Sequence, residues 1–305
     1  MKIHLKIIIT YIVIPSILGL LSCNSKTSQD TLSNIEEKSI EQTSVTDSNR
    51  LKNIKAIFYN LPSPIEMAQL LQNANALYNP ELLNSVTNVD NYTKTESLAL
   101  NLGVYGADLS YNRLNDQIQQ SINYLAAIRK ISEQLKIPQD EGAFTVTRIE
   151  ENVGNRDTLF QIISDTYADA DIYLKENNRE STAILIIAGG WIEALYIATN
   201  IIDKNNPNQQ LMYRIAEQKF SLINLINIVD KCENNAEIVG LIKIKLVELK
   251  KVFDKIEISY QKGTIETDEI NNRTIINYIT EIKVDYNNIN DIRIIIEDLR
   301  NKIVE

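Results

Sequence analysis

The chain has 305 residues, of which 44% are hydrophobic and 23% charged, with 9 glycines and 6 prolines. The composition is that of a globular protein, and the chain is long enough for one large domain or two small ones. The scarcity of the helix breakers glycine and proline favours helices. The formal net charge is −9 at pH 7. Because an anionic surface without a basic run repels phosphate backbones, nucleic acid is excluded as an expected partner.

The histidine content limits the chemistry that the chain can perform. The only histidine is His4, at the very start of the sequence. If residues 1–22 are removed, the remaining chain cannot form a Ser-His-Asp or Cys-His catalytic arrangement, nor supply imidazole ligands to zinc.

Residues 1–22 have the organisation of a secretory signal peptide. Lys2 and Lys6 form a cationic start, and an apolar run follows from Ile7 to Leu21. That run is too short for a comfortable transmembrane helix of about 20 residues, but it has the length of a signal sequence. An uncleaved membrane anchor is the alternative.

The segment ends in Leu20-Leu21-Ser22-Cys23, which resembles a bacterial lipobox. The resemblance implies cleavage before Cys23 and attachment of fatty acyl chains such as palmitate to Cys23, so that the membrane becomes a partner through the lipid. Asn24 stands where an aspartate is associated with inner-membrane retention. We therefore expect a lipoprotein of the cell envelope and favour the outer membrane, and leave open whether it faces the periplasm or the exterior.

Residues 23–50 are predicted to be a disordered tether. Four scattered apolar residues lie there among serine, threonine, asparagine and glutamate, too few to bury a core. A coil of this length has a root-mean-square span of about 30 Å, enough to lift a domain clear of the lipid headgroups. The folded domain is predicted to occupy 51–305.

Within that domain, apolar residues recur at helical spacing over most of the length. Capping-box patterns begin two of the helices, at Ser63 and Thr93. The stretch 273–284 is rich in β-branched residues and is ambiguous between helix and extended chain. The predicted helices cover about 63–78, 93–138, 157–175, 180–202, 207–232, 236–260 and 290–304.

The segment AILIIAGGWIEALYIAT, residues 183–199, is the most apolar part of the domain. As a helix it would rise about 26 Å, short of a hydrocarbon core of about 30 Å, and Glu193 would lie inside the membrane at a large cost. A helix that is apolar on nearly every side, between amphipathic neighbours, is expected at the centre of a bundle. The fold class is therefore predicted to be all-α: a multi-helix bundle around a central apolar helix at about 180–202, with a short extended segment near 273–284.

Two stripes of small residues suggest that two helices pack closely. Gly189, Gly190, Ala194 and Ala198 form one stripe, and Ala99, Gly103, Gly106 and Ser110 form the other. Since glycine inside a helix costs about 1 kcal/mol relative to alanine, close backbone approach is the expected compensation. We therefore predict that the stripes face each other. The candidate binding residues beside them are Asn101, Tyr105, Asp108, Trp191, Glu193 and Tyr196.

Asp108 and Glu193 leave three functional hypotheses open. As a pair among aromatic rings they could bind a cation, sugar or amine, in a tethered binding or scaffold module. Alternatively, they could perform acid–base work in a hydrolase or lyase, if they share one cleft. In the third hypothesis the protein is a purely structural envelope spacer, and both carboxylates are paired with tyrosine hydroxyls, arginine or helix ends inside the core.

Other patterns indicate no further site. The acidic runs lack the calcium-loop spacing, and no phosphate-binding or dinucleotide motif is present, so we expect neither a metal nor a cofactor. Cys232 lies on an apolar helix face and is predicted to be buried. The segments FYNLPSPIEMAQLL, NLGVYGADLSY and GGWIEALYIA resemble stretches of uncharacterised helical lipoproteins of Bacteroidota-like bacteria, a resemblance that implies the helical architecture and no particular activity.

Overall fold

Helices account for most of the residues that the structure describes. A computed structural model describes residues 3–10, 78–137, 177–233, 236–268 and 273–305, with single positions between 152 and 176. Two short 3-10 helices, Pro80–Leu82 and Val86–Asn91, precede the first described α-helix. The α-helices in the described part of the chain are α1 (Thr95–Leu114), α2 (Ile118–Gln134), α3 (Glu180–Asn200), α4 (Gln209–Asp230), α5 (Glu237–Phe253) and α6 (Tyr286–Val304).

The chain divides into two compact units. The helical unit comprises residues 57–257 and 284–305, and the other unit comprises 1–56 and 258–283. The described strands are β1 (Ile3–Thr10), β2 (Glu257–Asp268) and β3 (Arg273–Lys283). They form one sheet in the order β1-β3-β2. Strand β1 pairs antiparallel with β3, with Ile3 opposite Thr280.

The predicted fold class, an all-α bundle with a short extended segment near 273–284, is confirmed. The tether predicted at 23–50 lies outside the described residues, and so do the helices predicted at 63–78 and 157–175, except for Tyr78 and single positions between 158 and 174. Strand β1 belongs to 1–22, the segment predicted to be removed. In a processed chain, β2 and β3 are the part of this sheet that would remain.

Two predicted helices end earlier than their apolar periodicity suggested. The helix predicted over 93–138 breaks between α1 and α2, where Asp116 has a φ of 56°, a left-handed conformation that Asp tolerates. The helix predicted to reach Tyr260 ends at Phe253 instead. From Ile256 to Ser259, buried or half-buried residues alternate with exposed ones, which is the period of a strand.

Helix α3 lies at the centre of the helical unit and contacts α1, α4 and α6. It is the one described helix long and apolar enough to span a membrane by length and composition, and 94% of its most apolar 18-residue window is buried inside the protein. This burial is the one expected of a core helix. The free thiol of Cys232 is also buried, as predicted.

The small-residue stripes of α1 and α3 face each other, as predicted. A Cβ added to Gly103 would lie 1.9 Å from the carbonyl oxygen of Ile186, and one added to Gly189 would lie 2.0 Å from that of Leu100. Farther along both helices, Ala107 and Ala194 belong to one buried cluster. The two helices therefore run parallel with their backbones in direct contact, which brings the polar residues beside the stripes together.

Candidate functional site

The centre of the site is an ion pair between α3 and α6. The Nε and Nη2 atoms of Arg300 donate to the two carboxylate oxygens of Glu193, each at 3.0 Å. Nη2 also donates to the carbonyl oxygen of Leu82 at 3.1 Å, and the guanidinium carbon lies 4.7 Å from the ring centroid of Tyr196. Glu193 is 0% exposed. A bidentate pair with a further hydrogen bond is the geometry in which a buried carboxylate is stabilised.

Asp108 of α1 lies beside this pair and is also fully buried. Its Oδ2 accepts a hydrogen bond from the backbone N–H of Asn84 at 3.1 Å, whereas no described group donates to Oδ1. Burial raises the pKa of Asp108 well above its usual range, and the neighbouring charge of Glu193 raises it further. Asp108 is therefore the group that keeps a proton, which it can donate to Glu193.

Burial also raises the pKa of Glu193, but the charge and hydrogen bonds of Arg300 oppose that shift. Of the two carboxyls, Glu193 is therefore the one that ionises first. The buried carboxyl cluster, which we define as Asp108, Glu193 and Arg300, then holds one negative and one positive charge. Its net charge of zero makes its burial tolerable, because an unpaired ion in the interior would be very costly.

The loop that precedes α1 closes over this cluster through Asn84. The Asn84 side chain donates to the hydroxyl of Tyr92 at 3.0 Å and to the amide oxygen of Asn101 at 3.2 Å. The backbone carbonyl oxygen of Asn84 accepts a hydrogen bond from the hydroxyl of Tyr124 at 2.9 Å. Nearby, the Tyr105 hydroxyl donates to the carbonyl oxygen of Ser85 at 2.9 Å. These bonds hold the loop against α1 and α2.

Asn101 and Tyr92 also fix the end of α6. The Asn101 amide donates to the carbonyl oxygen of Ile303 at 2.8 Å, and the Tyr92 hydroxyl donates to that of Val304 at 3.1 Å. The last carbonyls of a helix have no partner within the helix. These contacts satisfy two of them and position the C-terminal turns of α6, from which Arg300 reaches Glu193.

The structure brings five of the six candidate residues into one connected network. Trp191 is the exception, because its indole N–H donates to Gln218 of α4 at 3.3 Å, on another side of α3. All six are nearly or fully buried, and the most exposed of them, Tyr196, is 8% exposed. The six were predicted to form a ligand-binding site, and that prediction remains untested.

The acid–base hypothesis required Asp108 and Glu193 to line one cleft. The two carboxyls are neighbours, but both are 0% exposed. Two carboxyls in contact, one protonated and one ionised, resemble the pairs that enzymes use for proton transfer. A substrate would have to reach side chains that are 0% exposed, so this hypothesis remains a prediction. Among the described residues, no group of three or more potential metal ligands is present.

Neither Arg300 nor Asn84 was among the site residues predicted from the sequence. Arg300 could have been recognised from the sequence. It follows Ile289, Ile292 and Ile296 at helical spacing, so a charged residue occupies a position on an apolar helix face. That anomaly identifies a charge turned toward the core. Asn84 left no comparable sign, since asparagine is common in loops.

An open groove lies at the end of the helical unit where α1 and α5 begin and α6 ends. Its volume is about 650 Å³, and its lining is mainly apolar. Lys94 and Lys302 are among its lining residues. The apolar part of the lining includes Leu100, Ile238, Leu241, Ile244 and Ile303. A cavity of this size is in the range that small-molecule ligands occupy.

We predict that Asp108→Asn makes the protein less sensitive to pH. A carboxyl whose pKa is raised by folding stabilises the native state at acid pH, and this contribution is lost as pH rises from the unfolded value near 3.8 through the folded pKa. Asparagine mimics the protonated carboxyl and carries no such dependence. In urea unfolding from pH 4 to 7.5, the variant should gain stability relative to the wild type as pH rises, by at most about 1.4 kcal/mol per pH unit.

The matched control is Asp230→Asn at an exposed position of α4, which should leave the pH dependence as it is. A gap between Asp108→Asn and the wild type that stays constant over this pH range would contradict the assignment of the proton to Asp108.

Comparison with known proteins gives no match for this chain, whether to a protein-family model, to a curated protein or to a solved structure.

Proposed function

We propose that this protein is a lipid-anchored module of the bacterial cell envelope that binds a partner or serves as a scaffold at the membrane surface. In this proposal Cys23 carries the lipid, residues 23–50 form the tether, and the helical unit is held outside the bilayer. The lipobox-like ending of the first 23 residues supports the anchor. Outer-membrane residence is the favoured location because no aspartate follows Cys23.

The burial of the carboxyl cluster is the observation that carries the choice of a binding or scaffold role. Asp108 and Glu193 are both 0% exposed, and their hydrogen bonds link α1, α3, α6 and the loop at Asn84. Polar groups used in this way hold the fold together and fix which helices pack against each other. What the helical unit offers to other molecules is therefore its outer surface.

The glycine-bearing faces of α1 and α3 are not part of that surface. They pack against each other through backbone atoms, so a partner cannot use them. The groove at the start of α1 and α5, and the outer face of α5, remain open to a partner. We place the binding role of the protein at this end of the helical unit.

The anchor is tested by fatty-acid labelling in a bacterial host that processes lipoproteins. We expect the wild type to incorporate a palmitate analogue and to fractionate with membranes. Cys23→Ala should take up no label, because it lacks the sulfur that the lipid requires, and a larger share of it should be soluble. The matched control is Cys232→Ala, which should behave like the wild type because that thiol is buried in the helical unit.

Labelling of Cys23→Ala at the wild-type level, or no label in the wild type, would contradict the lipid anchor. Equal sedimentation of Cys23→Ala and the wild type with membranes, in a form that detergent alone releases, would show that a protein segment supplies the attachment.

A further inference from the structure

Helix α5 carries a stripe of exposed residues on the face that points away from the core. This α5 outer stripe comprises Glu237, Gly240, Ile244, Val247 and Lys251. Its residues have the alternating three- and four-residue spacing of a helix-pairing seam. Ile244 is 67% exposed and Val247 is 44% exposed, although the opposite face of the helix is buried in the core.

Gly240 makes no close packing contact at the position of its missing side chain. A Cβ added to it would meet nothing within 4 Å, whereas Gly103 and Gly189 are in backbone contact with the opposite helix. Glycine destabilises a helix relative to alanine, and no close contact from the described residues compensates at Gly240. A residue without a side chain lets another backbone approach closely, so Gly240 suits a surface against which another helix packs.

The charges at the ends of the stripe make it complementary to itself. Glu237 lies seven residues before Ile244, and Lys251 lies seven residues after it. Neither has an ion-pair partner among the described residues. If a second α5 lay antiparallel across Ile244, Glu237 of each copy would face Lys251 of the other at both ends of the contact.

We propose that two copies of this chain pair through the α5 outer stripe, antiparallel, with the two-fold axis at Ile244. In such an isologous contact each copy uses the same surface, so a single self-complementary helix face is sufficient. Val247 of each copy then packs near Gly240 of the other, and the contact covers the side of the groove that Ile244 lines. The pairing names the partner for the proposed function, and it rests on that function in one respect: tethering both copies to one membrane raises their effective concentration.

The test uses the purified full-length chain carrying Cys23→Ala, so that lipid does not contribute to association. A cysteine at the two-fold axis faces the same cysteine of the other chain. We expect Ile244→Cys to form a disulfide-linked dimer under mild oxidation at least about tenfold faster than Ile294→Cys, which lies on α6 and is 60% exposed. Cross-linking at equal rates would overturn the placement of the axis.

Charge substitutions test the antiparallel arrangement by sedimentation equilibrium. Glu237→Lys should weaken the dimer because two lysines then face each other at both ends, and Glu237→Lys/Lys251→Glu should restore it. Ile244→Glu should abolish the dimer, and Ile294→Glu should not. Because Ile244 is largely exposed, circular dichroism of Ile244→Glu should match the wild type.

A chain that stays monomeric up to about 0.1 mM would overturn self-pairing, and so would a dimer that Ile244→Glu leaves intact. A double charge exchange that fails to restore the dimer would overturn the antiparallel register. These outcomes are independent of fatty-acid labelling, so failure of the pairing and failure of the lipid anchor are distinguishable.

Discussion

Replacing Arg300 by methionine is expected to lower the free energy of unfolding by about 3–5 kcal/mol, the range found when one partner of a buried ion pair is removed. Methionine fills similar volume, but it leaves the Glu193 carboxylate, which is 0% exposed, without its two hydrogen bonds. It also leaves the Leu82 carbonyl without its contact to the guanidinium. Urea unfolding at pH 7, followed by circular dichroism, measures the effect.

The matched control is Lys302→Met on the same helix. Lys302 is exposed and paired with Glu305 near the chain end, so its loss should change stability by less than about 0.5 kcal/mol. The double variant Glu193→Gln/Arg300→Met should recover part of the loss, because it removes the unpaired charge as well. If Arg300→Met is no more destabilising than Lys302→Met, the cluster does not hold the bundle together.

The effect of Arg300→Met on stability should also depend on pH. In Arg300→Met, Glu193 loses the cation that opposes the rise of its pKa, so it should bind a proton on folding. The loss of stability caused by the substitution should therefore shrink as pH falls from the raised folded pKa of Glu193 toward the usual glutamate value near 4.5, and it should level off below that value. Asp108 already holds its proton in the wild type, so two neutral carboxyls would then lie side by side.

The sequence was a good guide to features that repeat along one helix. The apolar run at 183–199 predicted the buried central helix, and the small residues around Gly103 and Gly189 predicted which two helices touch through their backbones. Both patterns depend on spacing of three and four residues within one segment. They placed Asp108 and Glu193 each beside one of the touching stripes, but they left open whether the two carboxyls share a cleft.

The partner of Glu193 could not be obtained in the same way. Arg300 is 107 residues away in the chain, and only the packing of α6 against α3 decides that the two side chains meet. Asn84 belongs to a loop, where no periodicity indicates which side chains point inward. The early end of α5 had a similar cause, since apolar residues at 256–260 fit a helix and a strand about equally well over so short a stretch.

The largest effect of a single added methyl group is expected at the contact between α1 and α3. Gly103→Ala would place a Cβ 1.9 Å from the carbonyl oxygen of Ile186 and 2.6 Å from the amide nitrogen of Gly190. Both are backbone atoms of a buried helix, so no rotation of a side chain can relieve the overlap and the helices must move apart. We expect a loss of at least about 2 kcal/mol, since overpacking of a dense core costs 1–3 kcal/mol or more.

The same substitution at Gly240 should have the opposite sign, and this contrast is the sharpest test of the packing. A Cβ at Gly240 enters open space, so Gly240→Ala should raise stability by up to about 1 kcal/mol through helix propensity alone. Chemical unfolding at low protein concentration, where any pairing through α5 is absent, compares the two variants with the wild type. Equal effects at Gly103 and Gly240 would mean that α1 and α3 do not touch through their backbones. Asp108 and Glu193 would then not be held side by side, because the backbone contact between α1 and α3 is what brings the two side chains together.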